Sequence, residues 1–168
     1  MKHFYMISVC MIAILFLNAC SPNAVKTKSR VLNIPNSNQY TTLFVQGVNN
    51  NGVSTESTTA FISDHNQLSA FIKKMDKMEV EQPSGKELTD KIKDLNKKGN
   101  YIFVLSDKKT MDNKVYTIDF FSDGTVLFQK PNGKKPAANG AGEKLMYFSA
   151  EKHPKLLHEM KKRLNITF

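Results

Sequence analysis

The chain has 168 residues, with 24 lysines and arginines against 15 acids and a formal net charge of +9. Its length suits one domain with a sizeable core plus a tether. Arginine occurs only at Arg30 and Arg163. Such a lysine-dominated charge argues against a nucleic-acid partner, because nucleic-acid readers depend on arginine for bidentate contacts.

In chain order, Lys2 provides a minimal positive start and Phe4 to Leu17 an apolar run. That run has the length of a signal-peptide core and is short for a membrane span, which needs roughly 20 apolar residues. It closes on Leu17-Asn18-Ala19-Cys20. Small Ala19 precedes the cysteine, and Leu17 lies three residues before it. This resembles the lipobox of bacterial lipoproteins, with Asn18 where a small or β-branched residue is usual. The resemblance implies cleavage of residues 1–19, attachment of a diacylglyceryl group to Cys20, and an anchored domain on the extracytoplasmic face of the cell membrane. Two acyl chains suit stable anchoring, since each buried methylene contributes about 0.8 kcal/mol and one chain alone is marginal. The other cysteine, Cys10, departs with the signal. The mature domain would then hold no disulfide, no thiolate nucleophile and no cysteine-based zinc site.

Residues 20–38 read as the lipidated cysteine and a flexible tether, because Ser21 to Asn38 is polar, includes Pro22 and Pro35, and shows no apolar period. The globular domain is expected over 39–168. Tyr40 to Val48 has strand composition. Asn49-Asn50-Asn51-Gly52 marks a turn, and Ser54 to Ile62 a second strand paired to the first. Asp64 reads as an N-cap for a helix over His65 to Met78, with Leu68, Phe71, Ile72, Met75 and Met78 on its apolar face. Ser84 and Glu87 form a capping box before a second helix carrying Leu88, Ile92 and Leu95, with Gly99 as its C-cap. Strands follow over Tyr101 to Ser106, Lys114 to Phe121 and Thr125 to Lys130. Ser122-Asp123-Gly124 is the tight turn between the last two. After the Pro131 to Gly142 loop comes a strand over Glu143 to Phe148. A last helix begins around Pro154, carries Leu156, Leu157, Met160 and Leu164, and ends near Leu164.

The order β-β-α-α-β-β-β-β-α, with short turns between consecutive strands, predicts a single compact α+β domain: an antiparallel sheet with helices packed on one face. Ile62-Ser63-Asp64, Tyr116 to Phe121, Asp123-Gly124 and Leu156-Leu157 are similar to the pattern of small extracytoplasmic lipoproteins of Bacillus and its relatives, including the YhfM-like group. That resemblance implies no catalytic residue.

The residues offer little chemistry beyond Cys20. Gly133, Gly140 and Gly142 lack phosphate-loop spacing, and no cofactor motif is present. His153 and His158 lie five apart, so their side chains diverge on a helix and do not chelate one metal. Asp119 and Asp123 would be the carboxylates of an acid/base pair or cation site, although Asp123-Gly124 is explained by turn chemistry. Six lysines, Lys108, Lys109 and Lys114 around one loop and Lys130, Lys134 and Lys135 around another, form a possible basic binding rim, with Tyr116, Phe120 and Phe128 as aromatic surface beside it. The expectation is therefore a non-enzymatic binding or accessory lipoprotein of a low-GC Gram-positive envelope. Its contacts would be the membrane, another envelope protein or an anionic wall polymer. The competing reading is a cell-envelope enzyme or a metal- or solute-binding receptor. An exposed aromatic patch on the sheet would favour the first, and a closed pocket with converging Asp, His or Ser the second.

Overall fold

The computed structural model describes residues 29–112, 114–129 and 146–168. Its strands are β1 (Arg30–Val31), β2 (Thr42–Gly47), β3 (Thr59–Ile62), β4 (Glu79–Glu81), β5 (Tyr101–Ser106), β6 (Val115–Phe120), β7 (Val126–Gln129) and β8 (Met146–Ser149). They form one antiparallel sheet in the order β1-β4-β8-β7-β6-β5-β2-β3, so β1 and β3 are its edges. The helices are α1 (His65–Met75), α2 (Gly85–Lys93) and α3 (Leu156–Arg163). The protein is an α+β domain built on an antiparallel sheet.

Two strands lie outside the expected set, and one corrects the tether. Arg30 and Val31 pair with Val80 and Glu79 of β4. Leu32 and Ile34 are buried at 3% and 2% exposure. The Leu32 N–H donates to the Met78 carbonyl at 2.8 Å, and the Ile34 N–H to Asp76 Oδ1 at 3.0 Å. The folded part thus reaches back to Arg30, not to residue 39. Two apolar residues among Asn, Pro and Ser create no sequence period, so their burial is visible only once a partner strand exists. β4 recruits that same stretch: α1 stops at Met75, short of Met78, with Lys77 at φ 67°.

α1 is capped as its sequence dictates, Asp64 Oδ1 accepting from the Gln67 N–H at 2.8 Å. Leu68, Phe71, Ile72 and Met75 are its buried face. They pack on one side of the sheet with Leu156, Met160 and Leu164 of the α3 region, against Leu43, Val45, Phe103, Leu105, Tyr116, Ile118, Phe120 and Phe128. The Phe71 and Phe103 rings stack at 5.2 Å, and Phe103 meets Phe120 edge-on at 4.8 Å. Such aromatic pairs contribute about 0.5–1.5 kcal/mol beyond the area they bury. α2 lies on the other side. Its Ser84–Glu87 capping box forms as expected, and Leu88 and Leu95 pack against Phe121, Leu127 and Phe148. Helices therefore cover one face through α1 and α3, and α2 closes the β6–β8 end of the opposite face.

The expected strand over Ser54 to Ile62 is shorter. Glu56–Thr58 is a 3-10 turn, held by Thr58 Oγ1 accepting from the Thr55 N–H at 2.8 Å, and only Thr59–Ile62 pairs with β2. A chain of Ser and Thr hydroxyls competes locally with the ladder for backbone groups.

Candidate functional site

The Phe61 ring is 54% exposed on the side of the sheet that α1 and α3 leave uncovered. It stands 4.8 Å from the ring of Phe44, its cross-strand neighbour. Alternation puts both on this side, because Leu43, Val45 and Ile62, their neighbours in sequence, are in the core. Val53, in the loop leading to β3, is 51% exposed. This aromatic pair borders the free edge of β3. It escaped sequence reading because a half-buried strand and a core strand share one alternating pattern, and edge position is a tertiary property.

The aromatic rim expected at Tyr116, Phe120 and Phe128 is corrected. All three are in the core, at 0%, 2% and 0% exposure. Their alternation in the strands is right, but the side they share is the one beneath α1 and α3. The hydroxyls of Tyr40 and Tyr116 are buried there without a hydrogen-bond partner. Burial, reinforced by Asp107, pushes the Tyr40 hydroxyl up to about 12.

Of the expected basic rim, Lys108, Lys109 and Lys114 are exposed in the β5–β6 loop. Lys114 Nζ donates to Gln39 Oε1. Lys130, Lys134 and Lys135 lie outside the described residues, as does Cys20. Gln129, the last residue of β7, pairs with Thr117 near the start of β6. β7 thus ends at the same end of the sheet as the loop that carries Lys108, Lys109 and Lys114.

Asp119 and Asp123 do not form a pair. Asp119 is 1% exposed on β6. Its Oδ2 accepts from Gln129 Nε2 at 2.5 Å, and its Oδ1 has no partner. Burial pushes its pKa up to about 6, against a smaller lowering by the Gln129 hydrogen bond. Asp123 sits in the β6–β7 turn, with Lys91 and Lys152 each 2.9 Å from Oδ2 and the Thr125 N–H 3.1 Å from Oδ1. Its partial burial alone would raise the pKa. The two ammonium groups and the Thr125 amide outweigh that and hold it well below the usual carboxylate range. The turn is further fixed by Gly124, at φ 88°, whose carbonyl accepts from the His153 N–H at 2.7 Å. Asn100, 2% exposed, accepts the Ser122 N–H at 2.8 Å and ties the same turn to the end of the α2 region. Asp123 is thus a strut between α2, the turn and the segment entering α3.

The histidines are apart: His65 and His158 are exposed on α1 and α3, and His153 is half-buried before α3. Among the described residues no group of three or more His, Cys, Asp or Glu side chains is arranged to hold a metal ion. A cleft of about 710 Å³ lies between the α1–β4 connection and the segment entering α3. Four lysines (Lys74, Lys77, Lys152, Lys155) and four acids (Asp76, Glu79, Glu151, Glu159) line it alongside His153. Lys74 and Glu159 bridge across it at 3.7 Å. Its charges balance and partly pair, so it concentrates neither sign of ligand charge.

No protein-family model, curated protein or solved structure matches this chain.

Proposed function

We propose that the chain is a lipid-anchored protein of the bacterial cell envelope, held at the membrane through Cys20, and that it acts as a non-enzymatic binding or accessory protein. The anchor reading rests on the apolar N-terminal run ending in Leu17-Asn18-Ala19-Cys20. The binding reading rests on one observation above the others, the exposed Phe61 ring packed on half-buried Phe44 at the β3 edge. An exposed aromatic ring backed by a second one offers apolar contact area to another macromolecule, which supports this reading.

The position of that patch supports the same reading. Cys20 precedes β1, and β1 and β3 are opposite edges of the sheet. Measured along the sheet, seven strand spacings of about 4.8 Å make a path of roughly 34 Å between them. In sequence, the anchor joins the domain at the β1 edge, across the sheet from the patch. Residues 42–72, which carry β2, β3 and most of α1, contain no lysine or arginine.

Two experiments test the proposal. Radiolabelled palmitate should enter the wild-type protein in its host and not Cys20→Ala, which should lose membrane retention or stay unprocessed. Label in the mutant refutes the anchor. A photo-reactive phenylalanine analogue at position 61 should cross-link to envelope proteins in living cells, whereas the same analogue at the exposed position of His158 should not. Equal cross-linking at both positions, or none at 61, refutes the docking surface.

A further inference from the structure

We infer that the β3 edge takes an extended strand of a partner protein by main-chain pairing, and that this strand alternates apolar side chains and carries lysine or arginine at its ends. The inference rests on the docking reading above and names the partner's chemistry.

The hydrogen-bond phase of the sheet can be followed to its edge. The Asp107 N–H donates to the Lys114 carbonyl, and the Val48 N–H to the Asn100 carbonyl. Both extend the β5–β6 and β2–β5 registers. In an antiparallel ladder, bonded and non-bonded pairs alternate. Even-numbered residues of β2 thus bond to β5 and odd-numbered ones to β3, making Leu43–Ile62 and Val45–Ala60 the bonded pairs of β2 and β3. The N–H and C=O of Phe61 therefore point away from β2, and β3 is the last strand of the sheet. A strand added there exchanges both bonds with Phe61. Its side chain opposite Phe61 lies on the same side of the sheet as the Phe61 and Phe44 rings, which supply the contact for an apolar group.

Natural sheets protect such edges with lysine, proline or a bulge. β3 reads Thr-Ala-Phe-Ile; at four residues it is a short edge, but it carries no lysine, proline or bulge. Glu56 and Asp64 flank it, both exposed, and no lysine or arginine occurs from residue 31 to 72. The opposite edge begins with Arg30. Lys98 lines a hollow with Ser57 and Thr58 near the Glu56 end, so against the two flanking acids it leaves a smaller acidic excess, which favours a strand with basic ends over one with acidic ends. A second copy of β3 would bring the same two acids to the junction, so the partner is a different chain.

The test uses the full-length processed protein in detergent micelles and synthetic probes. One is Lys-Val-Thr-Val-Thr-Val-Lys, the second carries glutamate at both ends, and the third is the lysine probe N-methylated at its central valine. Saturating lysine probe should slow hydrogen exchange of the Phe61 amide about tenfold or more. The glutamate probe should bind several-fold more weakly, the N-methylated probe should give no protection, and Phe61→Ser should weaken the lysine probe while circular dichroism stays native. Equal binding of the two charged probes, protection by the N-methylated probe, or no binding of any probe at millimolar concentration overturns the inference. So does a protein that sediments as a dimer with the Phe61 amide already protected, which would give the edge to a second copy. If cross-linking from position 61 succeeds and the probes fail, the docking surface stands and the strand partner falls. Neither outcome bears on the palmitate result.

Discussion

Replacing Asp119 by asparagine should stabilise the protein at neutral pH and leave it nearly unchanged at pH 4. Asp119 is 1% exposed, and one of its carboxylate oxygens has no hydrogen-bond partner. Burial raises its pKa from 3.8 to about 6. In the unfolded chain the carboxyl ionises near the lower value, and in the folded chain near the higher. Between them the folded state binds more protons, so the stability this group confers is complete below the lower value and is lost as pH rises through the upper. A tenfold change in a protonation equilibrium is worth about 1.4 kcal/mol, so the loss by pH 7.5 is about 3 kcal/mol. An asparagine amide carries no charge to desolvate, so Asp119→Asn should gain up to about that amount at pH 7.5. Urea unfolding of both proteins, followed by circular dichroism because the chain has no tryptophan, measures the difference at pH 4, 5, 6 and 7.5. A variant whose advantage is absent, or is the same at every pH, would refute the argument from burial.

Gly124→Ala should cost about 2 kcal/mol or more, because it combines a residue at φ 88° with a Cβ that would sit 2.7 Å from the Pro154 nitrogen; a midpoint in urea equal to wild type would show that the turn relaxes freely. Ile34→Ala should cost about 2–4 kcal/mol, as for other fully buried large-to-small changes, whereas a residue in a free tether would cost nothing, and the same unfolding assay decides between them.

Much of the fold is legible in the sequence where local chemistry and burial agree. The Asp64 cap, the Ser84–Glu87 capping box and the Leu68–Phe71–Ile72–Met75 face specify helices through bonds and spacings within one turn or two. Tyr101 to Ser106 is bounded by its own composition, and the side-to-side alternation of Lys114 to Phe121 holds residue by residue. Less is legible where a residue's role depends on a distant partner. Leu32 and Ile34 look like tether until β4 pairs beside them. Alternation groups Tyr116 and Phe120 on one side of their strand, but which side the helices cover is not encoded in the strand itself. Of the lysines expected to form a basic rim, Lys108, Lys109 and Lys114 fall on described residues and are exposed.

By itself the sequence determined the class of fold, the capped helices, the turn at Asp123-Gly124 and the pattern around Cys20, because each is set by residues close together in the chain. The tertiary structure alone decided that β3 is an edge, that Phe44 and Phe61 meet beside it, and that Asp119 is buried with an unpaired oxygen. Strand order, solvent exposure and desolvation arise from contacts between segments far apart in sequence, and no local pattern carries them.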